Sequence, residues 1–286
     1  MRRALVFGAS GQIGVPLLDH LDDAGWQVYA VSRDERNDTP GLHWLRGDLN
    51  HVEGLPREVD TIFSLGPLDQ FARWYDTSSI KAERVIAFGS TSIEVKRGSS
   101  DAEERDVAAR LRQGEQGVFE TAAERNAYAT ILRPTLIYGS ARDRTLTRIA
   151  DLAKRWNRFV LPRGATGLRQ PVHAHDLAAA AFGANAAEAT HGKTYALPGG
   201  ETLPYRDMVA RVLATLDRPP QLIELPSPLF NIALLGAKAA GYATGFGEAA
   251  VRRMRSDLVF DAQPAMRDFD YAPRLFRPTA GMFEPG

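Results

Sequence analysis

Gly8-Ala9-Ser10-Gly11-Gln12-Ile13-Gly14 is the stretch of this sequence that decides its fold. The apolar residues 4–7 precede it, and a helical pattern from about residue 12 to residue 24 follows it. A strand, a glycine-rich turn and a helix in this order indicate the start of a parallel sheet with a phosphate-binding turn. We expect this turn to bind a dinucleotide through Gly8, Ser10, Gly11, Gln12, Ile13 and Gly14, and the alternative is an ordinary turn between a strand and a helix.

Further strand-like runs alternate with helical patterns through the first half of the chain. The clear strands cover residues 27–31, 59–64, 84–88 and 129–132. Continuous apolar strands separated by amphipathic helices indicate a parallel sheet that is covered on both faces. Ser100-Asp101-Ala102-Glu103 is interpreted as a capping box that opens the helix before the last of these strands.

The alternation of strand-like and helical patterns ends after residue 140. Helical patterns near 145–157, 176–188, 205–217 and 228–243 are joined by segments rich in proline and glycine. We therefore predict an α/β protein, a Rossmann-type doubly wound parallel sheet with a smaller, mostly helical C-terminal substrate domain. Residues 1–143 and about 170–197 are assigned to the dinucleotide-binding domain, and residues 144–169 and 198–286 to a cap packed on it.

Composition excludes several classes of function. The 286 residues contain 35 basic and 35 acidic side chains and no cysteine, which argues against nucleic-acid binding, disulfides and thiolate chemistry. The apolar stretch from residue 229 to 243 is interrupted by Asn231 and Lys238, so we expect core or a pocket wall and no membrane span. No cleavage site of a secretory signal is evident, and a cytoplasmic location is the expectation.

The end of the second strand, Val31-Ser32-Arg33, bears on the choice of cofactor. Enzymes that prefer NAD usually carry an acidic residue there, which bonds to the ribose 2′-hydroxyl. Arg33, with Arg36 nearby, would instead pair with a 2′-phosphate, so NADP(H) is predicted to be preferred over NAD(H). A solvated surface arginine is the alternative. Asp48 and Leu49 follow the third strand, where such folds commonly contact adenine, although Asp48 is equally interpretable as a turn residue.

Several segments in order resemble the extended and atypical branches of the short-chain dehydrogenase/reductase superfamily, the group with nucleotide-sugar epimerases and dehydratases. After the glycine turn, the matching segments are Arg46-Gly47-Asp48-Leu49, Phe88-Gly89-Ser90-Thr91-Ser92, Leu132-Arg133-Pro134-Thr135-Leu136-Ile137-Tyr138-Gly139, Pro171-Val172-His173-Ala174-His175-Asp176-Leu177-Ala178 and Thr194-Tyr195-Ala196-Leu197-Pro198-Gly199-Gly200. The resemblance implies that Ser32, Ser64, Leu65 and Gly66 also line the cofactor site. It places Pro134 and Thr135 beside the nicotinamide amide and ribose.

The catalytic pair of that superfamily is missing. Its members use a Ser or Thr after a central strand and a Tyr-x-x-x-Lys pair on the next helix, where lysine lowers the tyrosine pKa for proton exchange. Counting from Arg133 and taking Glu115 as the acid of that helix, the expected Tyr and Lys positions are Val107 and Leu111. Neither side chain transfers a proton, so the standard tyrosine-based chemistry is predicted to be absent.

Ser90 matches the Ser/Thr position, and Tyr138 is the candidate replacement for the missing tyrosine. A structural tyrosine is the favoured interpretation of Tyr138. His173 and His175 would share a face on a strand, but no metal-ligand spacing accompanies them, and no metal site is predicted. Asp176 is interpreted as a helix cap.

Two functions remain open at this stage. A basic excess between residues 142 and 169 favours an anionic small-molecule substrate, with the solvated face of a helix as the alternative. The first hypothesis is an NADP(H)-dependent oxidoreductase or epimerase-type enzyme with a non-standard site. The second is a non-catalytic NADP(H)-binding redox sensor or assembly subunit. A homodimer is compatible with either.

Overall fold

The computed structural model of this protein describes residues 1–141, 143, 145–239 and 248–283, and the chain divides into two compact units. The first unit comprises Met1–Thr135, Ala174–Leu197 and Asp261–Pro273. The second comprises the described residues of Leu136–His173, Pro198–Phe260 and Arg274–Gly286. Each unit therefore takes segments from distant parts of the sequence.

The strands and helices are as follows in chain order. The strands are β1 (Arg3–Phe7), β2 (Gln27–Ser32), β3 (Leu42–Arg46), β4 (Glu58–Ser64), β5 (Lys81–Phe88), β6 (Tyr128–Pro134), β7 (Ile137–Tyr138), β8 (Arg158–Pro162), β9 (Leu168–Arg169), β10 (Val172–His173), β11 (Lys193–Leu197), β12 (Leu203–Pro204) and β13 (Gln221–Leu225). The helices are α1 (Gly14–Asp23), α2 (Leu68–Thr77), α3 (Ser92–Val95), α4 (Ala102–Glu124), α5 (Leu146–Trp156), α6 (Ala174–Ala186), α7 (Tyr205–Ala214), α8 (Ser227–Ala239), α9 (Glu248–Arg253) and α10 (Gln263–Phe269).

The first unit is built on a seven-stranded parallel sheet with the order β3-β2-β1-β4-β5-β6-β11. Helices flank this sheet, and the predicted Rossmann-type α/β fold is confirmed. The direction of the strand order reverses between β1 and β4. In open sheets of this kind, the crevice at the carboxyl ends of the two strands beside this reversal is the place where ligands bind.

Apolar side chains on the central strands explain why the sheet is covered by helices. Leu5 and Phe7 of β1 lie in one core cluster with Phe71 of α2 and Val118 of α4. Elsewhere in the unit, α1 packs on α6. Burial of apolar side chains at roughly 25 cal/mol per Å² is the main force that holds such layers together.

The predicted capping box at the start of α4 is wrong in its register. Asp101 caps the helix, because its carboxylate accepts a hydrogen bond of 2.9 Å from the backbone N–H of Glu103. The side chain of Ser99 also bonds to the first turn, donating from its hydroxyl to Glu104 at 2.7 Å. An aspartate and a serine cap equally well, so the local sequence did not distinguish the two registers.

The division of the chain also differs from the predicted bounds at three places. Residues 136–143 and 170–173 lie in the second unit, and residues 261–273 lie in the first. The last segment is tied to the sheet by Asp268, which accepts hydrogen bonds from Lys193 at 2.9 Å and Tyr195 at 2.7 Å on β11. These bonds hold the pKa of the Asp268 carboxyl well below its usual range, with Tyr195 the largest cause.

The second unit has its own core and three short strand pairs, β7 with β10, β8 with β13 and β9 with β12. Its core is formed by α5, α7 and aromatic residues from the end of the described chain. The fully buried members include Leu146, Ile149, Met208, Val212, Phe276 and Phe283. Strands β8 and β13 were not predicted from the sequence, because each is short and lies beside a helical pattern.

Helix α8 contradicts the expectation for the apolar stretch that begins at residue 229. Within its described part, Phe230 is buried, whereas Leu229, Ile232 and Leu235 are 53%, 66% and 66% exposed. These three lie on one face, three residues apart, so the helix presents an apolar face away from the core of its unit. Residues 240–243 of the predicted helix lie outside the described residues. No helix in the described part of the chain is long and apolar enough to cross a membrane.

A buried arginine connects β5, β6 and α6 in the first unit. The Arg84 guanidinium donates to the carbonyl oxygens of Tyr128 at 3.2 Å and Ala184 at 2.9 Å. It also donates to the hydroxyls of Thr130 at 3.3 Å and Thr190 at 2.9 Å. Burial lowers the pKa of Arg84 to about 10. Its partners are neutral and its Nε has no hydrogen-bond partner among the described residues, so the hydrogen bonds offset only part of the desolvation of this charge.

We predict that Arg84→Leu lowers the free energy of unfolding by about 2–4 kcal/mol, since the buried carbonyl of Ala184 and the hydroxyl of Thr190 lose a donor. Urea unfolding followed by circular dichroism measures the change. Arg218→Leu is the matched control, because Arg218 is exposed. Equal stability of the two variants would contradict a structural role for Arg84.

Candidate functional site

The glycine loop, residues 8–14, connects β1 to α1 at the point where the strand order reverses. Gly8 has a φ of +77°, and a Cβ placed on it would lie 3.3 Å from the backbone carbon of Leu65. The loop is closed by a hydrogen bond of 2.9 Å from the N–H of Gly11 to the carbonyl of Gly8. The predicted turn is therefore present, with its backbone in contact with the end of β4.

Gly14 is the position where the loop tolerates no side chain. A Cβ placed on it would lie only 2.3 Å from the carbonyl oxygens of both Gly8 and Ala9. This close approach brings the first turn of α1 against the end of β1. Ile13, the residue before the helix, makes no side-chain cap. The amide groups at the start of a helix attract anions, so this end of α1 suits a phosphate.

Two buried polar atoms beside the loop lack a hydrogen-bond partner among the described residues. They are Oε1 of Gln12 and Oγ of Ser64. Unsatisfied buried polar atoms are unusual in folded proteins and suit a polar ligand. Both belong to residues that the sequence assigned to the cofactor site, and their chemistry fits a dinucleotide.

Ser64, Leu65 and Gly66 continue from β4 along the same edge of the sheet. The backbone N–H of Leu65 donates to the carbonyl of Phe7 at 3.0 Å, which joins the ends of β1 and β4. Leu49 lies over Gly66, since a Cβ on that glycine would be 3.6 Å from its side chain. The structure thus brings together the predicted contacts to the pyrophosphate and to adenine.

The carboxylate of Asp48 accepts hydrogen bonds within a turn of the backbone. One of its carboxylate oxygens accepts hydrogen bonds from the N–H groups of Asn50 at 2.8 Å and His51 at 3.2 Å. These two bonds are the largest causes that hold the pKa of this carboxyl below its usual value, and the charge of Arg33 contributes less. The turn interpretation of Asp48 therefore describes its contacts.

Three arginines lie near the carboxyl ends of β2 and β3. Arg33 follows β2 directly and is exposed. Arg36 lies over the ring of Trp44 on β3, with its guanidinium carbon 5.0 Å from the ring centroid. Arg46 lies opposite Ser32 in the strand register. Sequence reasoning did not assign Arg46 to the cofactor site, because its position depends on the pairing of two strands.

Ser90 lies just after β5, and its loop is joined to the end of β6. The hydroxyl of Ser90 accepts a hydrogen bond from the N–H of Ser92 at 3.1 Å. Thr91 donates to the carbonyl of Pro134 at 3.1 Å through its hydroxyl. The N–H of Thr135 donates to the carbonyl of Leu197 at 3.3 Å. Ser90, Pro134 and Thr135 therefore lie on two connected loops at the edge that carries the glycine loop.

Arg133 and Glu115, the two residues from which the implied Tyr and Lys positions on α4 were counted, form an ion pair. The guanidinium Nε is 2.7 Å from the Glu115 carboxylate, and a second nitrogen bonds to the other carboxylate oxygen. A third contact joins Arg133 to Glu94 at 3.0 Å. These carboxylates raise the pKa of Arg133, Glu115 being the largest cause. The two residues used to count along α4 are thus direct partners.

Val107 and Leu111 lie two turns and one turn before Glu115 on α4. Both are half-buried, and Leu111 packs against the core beneath the helix. Apolar packing suits both side chains, and proton transfer suits neither. The positions at which the resemblance implies a tyrosine and a lysine thus carry apolar groups on the inner side of the helix.

Of the remaining candidates, Tyr138 and His173 lie in the second unit, and His175 and Asp176 lie in the first. Tyr138 is fully buried, and its ring meets those of His173 and Phe276 edge-on at 5.1 and 4.9 Å. Such contacts are typical of a structural tyrosine. His173 ends β10, whereas His175 lies in α6. Asp176 is the third residue of α6, which begins at Ala174, so the predicted cap is three residues late.

Within the described residues, no group of three or more His, Asp or Glu side chains is placed to hold a metal ion. The basic excess between residues 142 and 169 is only partly described, since Arg142 and Arg144 lie outside the described residues. Arg169 is structural: it is buried and donates to the carbonyl oxygens of Leu168 at 2.7 Å and Ser256 at 2.8 Å.

Comparison with known proteins adds to this geometry. No family model matches the chain. It is 25% identical to the 2-alkyl-3-oxoalkanoate reductase of Stenotrophomonas maltophilia, over 96% of this chain and 95% of that protein. It is 26% identical to the mitochondrial NADH dehydrogenase (ubiquinone) 1 alpha subcomplex subunit 9 of Arabidopsis thaliana, over 79% of this chain and 61% of that subunit.

Solved structures share the fold at lower identity. The terminal R domain of the myxalamid biosynthetic pathway has a TM-score of 0.74 and 17% identity, with 99% of this chain and 89% of that chain covered. UDP-glucuronic acid 4-epimerase from Bacillus cereus, in complex with UDP-glucuronic acid and NAD, has a TM-score of 0.68 and 13% identity, with 96% and 95% covered. These findings confirm the fold and the resemblance to the extended short-chain dehydrogenase/reductase superfamily.

Proposed function

We propose that this protein binds NADP(H) on its glycine loop and acts as an oxidoreductase or epimerase-type enzyme on an anionic small molecule, without a tyrosine–lysine pair. The observation that carries the proposal is the close approach of Gly14 to the carbonyl oxygens of Gly8 and Ala9. It brings the positively polarised N-terminal end of α1 to the end of β1, where a pyrophosphate would bind. The unpartnered oxygens of Gln12 and Ser64 support the same site.

The proposed preference for NADP(H) rests on Arg33, which follows β2, and on Arg46, the last residue of β3. Arg33 and Arg46 have no hydrogen-bond or ion-pair partner in the part of the chain that the structure describes, and each is exposed. A 2′-phosphate pairs well with guanidinium groups, whereas the 2′-hydroxyl of NAD needs an acceptor. Arg36, stacked on Trp44, adds a third positive charge nearby.

When bound, the nicotinamide cofactor supplies a hydride to a substrate carbon or accepts one from it. Ser90 would orient the substrate oxygen by donating a hydrogen bond from its hydroxyl, which already accepts one from Ser92. Since Val107 and Leu111 carry no proton, we assign the exchanged proton to solvent water. Tyr138 is given a packing role in this proposal, because its ring is enclosed by His173 and Phe276.

The anionic class of substrate has two supports. One relative is named for an oxoalkanoate, and one structural neighbour binds UDP-glucuronic acid, and both molecules carry a carboxylate. The exposed Arg158 and Arg163 of this chain supply positive charge in the segment that the sequence assigned to the substrate. A cytoplasmic location is part of this proposal, and a homodimer is compatible with it.

A second candidate is a non-catalytic NADP(H)-binding subunit or redox sensor. The specific observation in its favour is the apolar pair Val107 and Leu111 in the place of both catalytic residues. The 26% identity to a protein named as a subunit of NADH dehydrogenase supports it as well. Under this proposal, the bound cofactor stabilises the fold or signals its redox state to a partner protein.

Gly14→Ala is predicted to weaken NADPH binding by at least about 100-fold, because the new Cβ cannot lie 2.3 Å from two carbonyl oxygens without displacing the loop. Titration calorimetry measures the affinity. Gly236→Ala is the matched control, since nothing lies within 4 Å of a Cβ at that position. A folded Gly14→Ala variant with unchanged affinity would overturn the cofactor site.

Arg33→Ala is predicted to weaken NADPH binding roughly 10- to 100-fold and to leave NADH binding unchanged, since only the 2′-phosphate loses a charge-assisted bond. The same titrations give the ratio of the two affinities. Arg218→Ala removes an exposed charge elsewhere and is expected to change neither affinity. An unchanged ratio in Arg33→Ala would contradict the preference.

Catalysis is tested by the oxidation of bound NADPH with a panel of 3-oxo acids, aldehydes and nucleotide sugars. We expect at least one carbonyl substrate to be reduced, and Ser90→Ala to slow the reduction by about tenfold or more, because a hydrogen bond to the oxygen is lost. Ser92→Ala is the control, since only its backbone N–H bonds to Ser90.

Intact NADPH binding without oxidation across this panel would exclude the enzyme and favour the second candidate. That candidate predicts that partner proteins captured with oxidised, reduced and no cofactor differ. Identical partners in the three states would contradict a redox sensor.

A further inference from the structure

A cavity of about 550 Å³ opens beside α3 in the first unit. Its lining combines the short helix α3, the loop after it, the middle of α4 and the end of β6. The residues are Ile93, Glu94, Arg97, Gly98, Arg112 and Arg133. We call this cavity the arginine pocket. None of these residues belongs to the cofactor site or the catalytic positions described above.

The charges that line the arginine pocket do not balance. Arg133 is neutralised by Glu115, which lies beneath it, and is also bonded to Glu94 at 3.0 Å. Arg97 and Arg112 have no hydrogen-bond or ion-pair partner in the described ranges of the chain, and both are exposed. Arg97 and Arg112 are therefore unpaired guanidinium groups, and the three arginines with Glu94 and Glu115 give the pocket a net charge of +1.

Local sequence explains why Arg112 is unpaired. On α4, the residues three and four positions away from it are Ala108, Ala109, Glu115 and Gln116. Glu115 is the single acid among them, and its two carboxylate oxygens are taken by Arg133. No helical neighbour is left that would form the usual intrahelical ion pair with Arg112.

Another cavity of this unit, between α2 and α4, provides a contrast. It is lined by two arginines, Arg73 and Arg110, and by four acids, Asp69, Asp76, Glu120 and Glu124. Arg110 is paired there with Asp106 at 2.9 Å and with Asp69 at 3.7 Å. Like charges gathered without counter-charges repel each other, so the arginine pocket has the stronger attraction for an anion.

We propose that the arginine pocket binds the phosphate group of a small molecule, at a site separate from the glycine loop. A phosphate carries nearly two negative charges at neutral pH, and its oxygens can accept hydrogen bonds from both unpaired guanidinium groups. Guanidinium forks bind phosphate oxygens through paired hydrogen bonds. Inorganic phosphate and a phosphate monoester share this chemistry, and the site is independent of the proposed enzymatic activity.

Gly98 offers a way to close the pocket without disturbing the fold. Nothing lies within 4 Å of a Cβ placed on it, and its φ is outside the left-handed region that favours glycine. Because Gly98 lines the pocket, a larger side chain at this position is expected to narrow it, with no backbone strain and no protein atom within 4 Å of its Cβ.

The test is a calorimetric titration of the full chain with inorganic phosphate, and in a second arm with glycerol 3-phosphate. We expect saturable binding of at least one of them, weakened about tenfold or more by Arg97→Gln, by Arg112→Gln and by Gly98→Leu. Arg218→Gln is the charge-matched control and should bind as the wild type does. Tighter binding of glycerol 3-phosphate would identify a monoester as the natural ligand, and equal binding would identify free phosphate.

Gly14→Ala separates this site from the glycine loop. Phosphate binding that persists in this variant and is lost in the arginine variants supports the arginine pocket. Binding that is lost in Gly14→Ala and kept in Arg97→Gln and Arg112→Gln would place the anion in the glycine loop and overturn the proposal. The absence of any phosphate binding by the folded wild type at millimolar concentration would overturn it as well.

Discussion

The contact between the start of α1 and the end of β1 is the constraint on which the first unit depends. Gly14 approaches the carbonyl oxygens of Gly8 and Ala9 more closely than any residue with a Cβ is able to. This approach brings the start of α1 to the crevice where the strand order reverses. The end of β4 is held to the same point by the bond from Leu65 to Phe7. The edge of the sheet that we propose to bind a dinucleotide is formed by these few backbone contacts.

A second constraint, the ion pair between Arg133 and Glu115, links the end of β6 to α4. Because both nitrogens of the guanidinium fork engage one carboxylate, the pair sets the rotation and register of the helix as well as its distance from the sheet. With this register, Val107 and Leu111 are the residues at the positions where the resemblance implies a tyrosine and a lysine. Two apolar residues therefore stand at the positions of the implied catalytic pair, on a helix whose Glu115 bonds to Arg133.

The comparisons, like the site, are compatible with both candidate functions, an enzyme and a non-catalytic subunit. The chain resembles a reductase over nearly its whole length and a respiratory-complex subunit over most of it, at almost equal identity. A cofactor site on an intact sheet is compatible with both relatives. What separates the two proposals is the proton donor, and the glycine loop does not determine that feature. A cofactor-binding fold therefore leaves the activity open, because function depends on the residues placed around the cofactor.

The sequence by itself determined the order of elements and the class of the fold. Strands and the glycine turn at residues 8–14 depend on the sterics and burial of residues that are close in sequence. Apolar runs of strand length and the spacing of the glycines therefore predict them directly. The absence of the tyrosine–lysine pair was also readable, because no tyrosine occurs between Tyr75 and Tyr128 and no lysine between Lys96 and Lys154. These conclusions need no knowledge of distant contacts.

Tertiary structure decided which distant residues meet. Arg46 lies opposite Ser32 only because β2 pairs with β3, and residues 261–273 join the first unit only because Asp268 bonds to β11. The outward apolar face of α8 has the same origin: its sequence is apolar on two sides, and packing buried the side of Phe230. Three arginines gather around one pocket for a similar reason, since α3, α4 and β6 converge there. Local patterns encode strands, helices and turns, whereas pairing and packing between remote segments choose the partners.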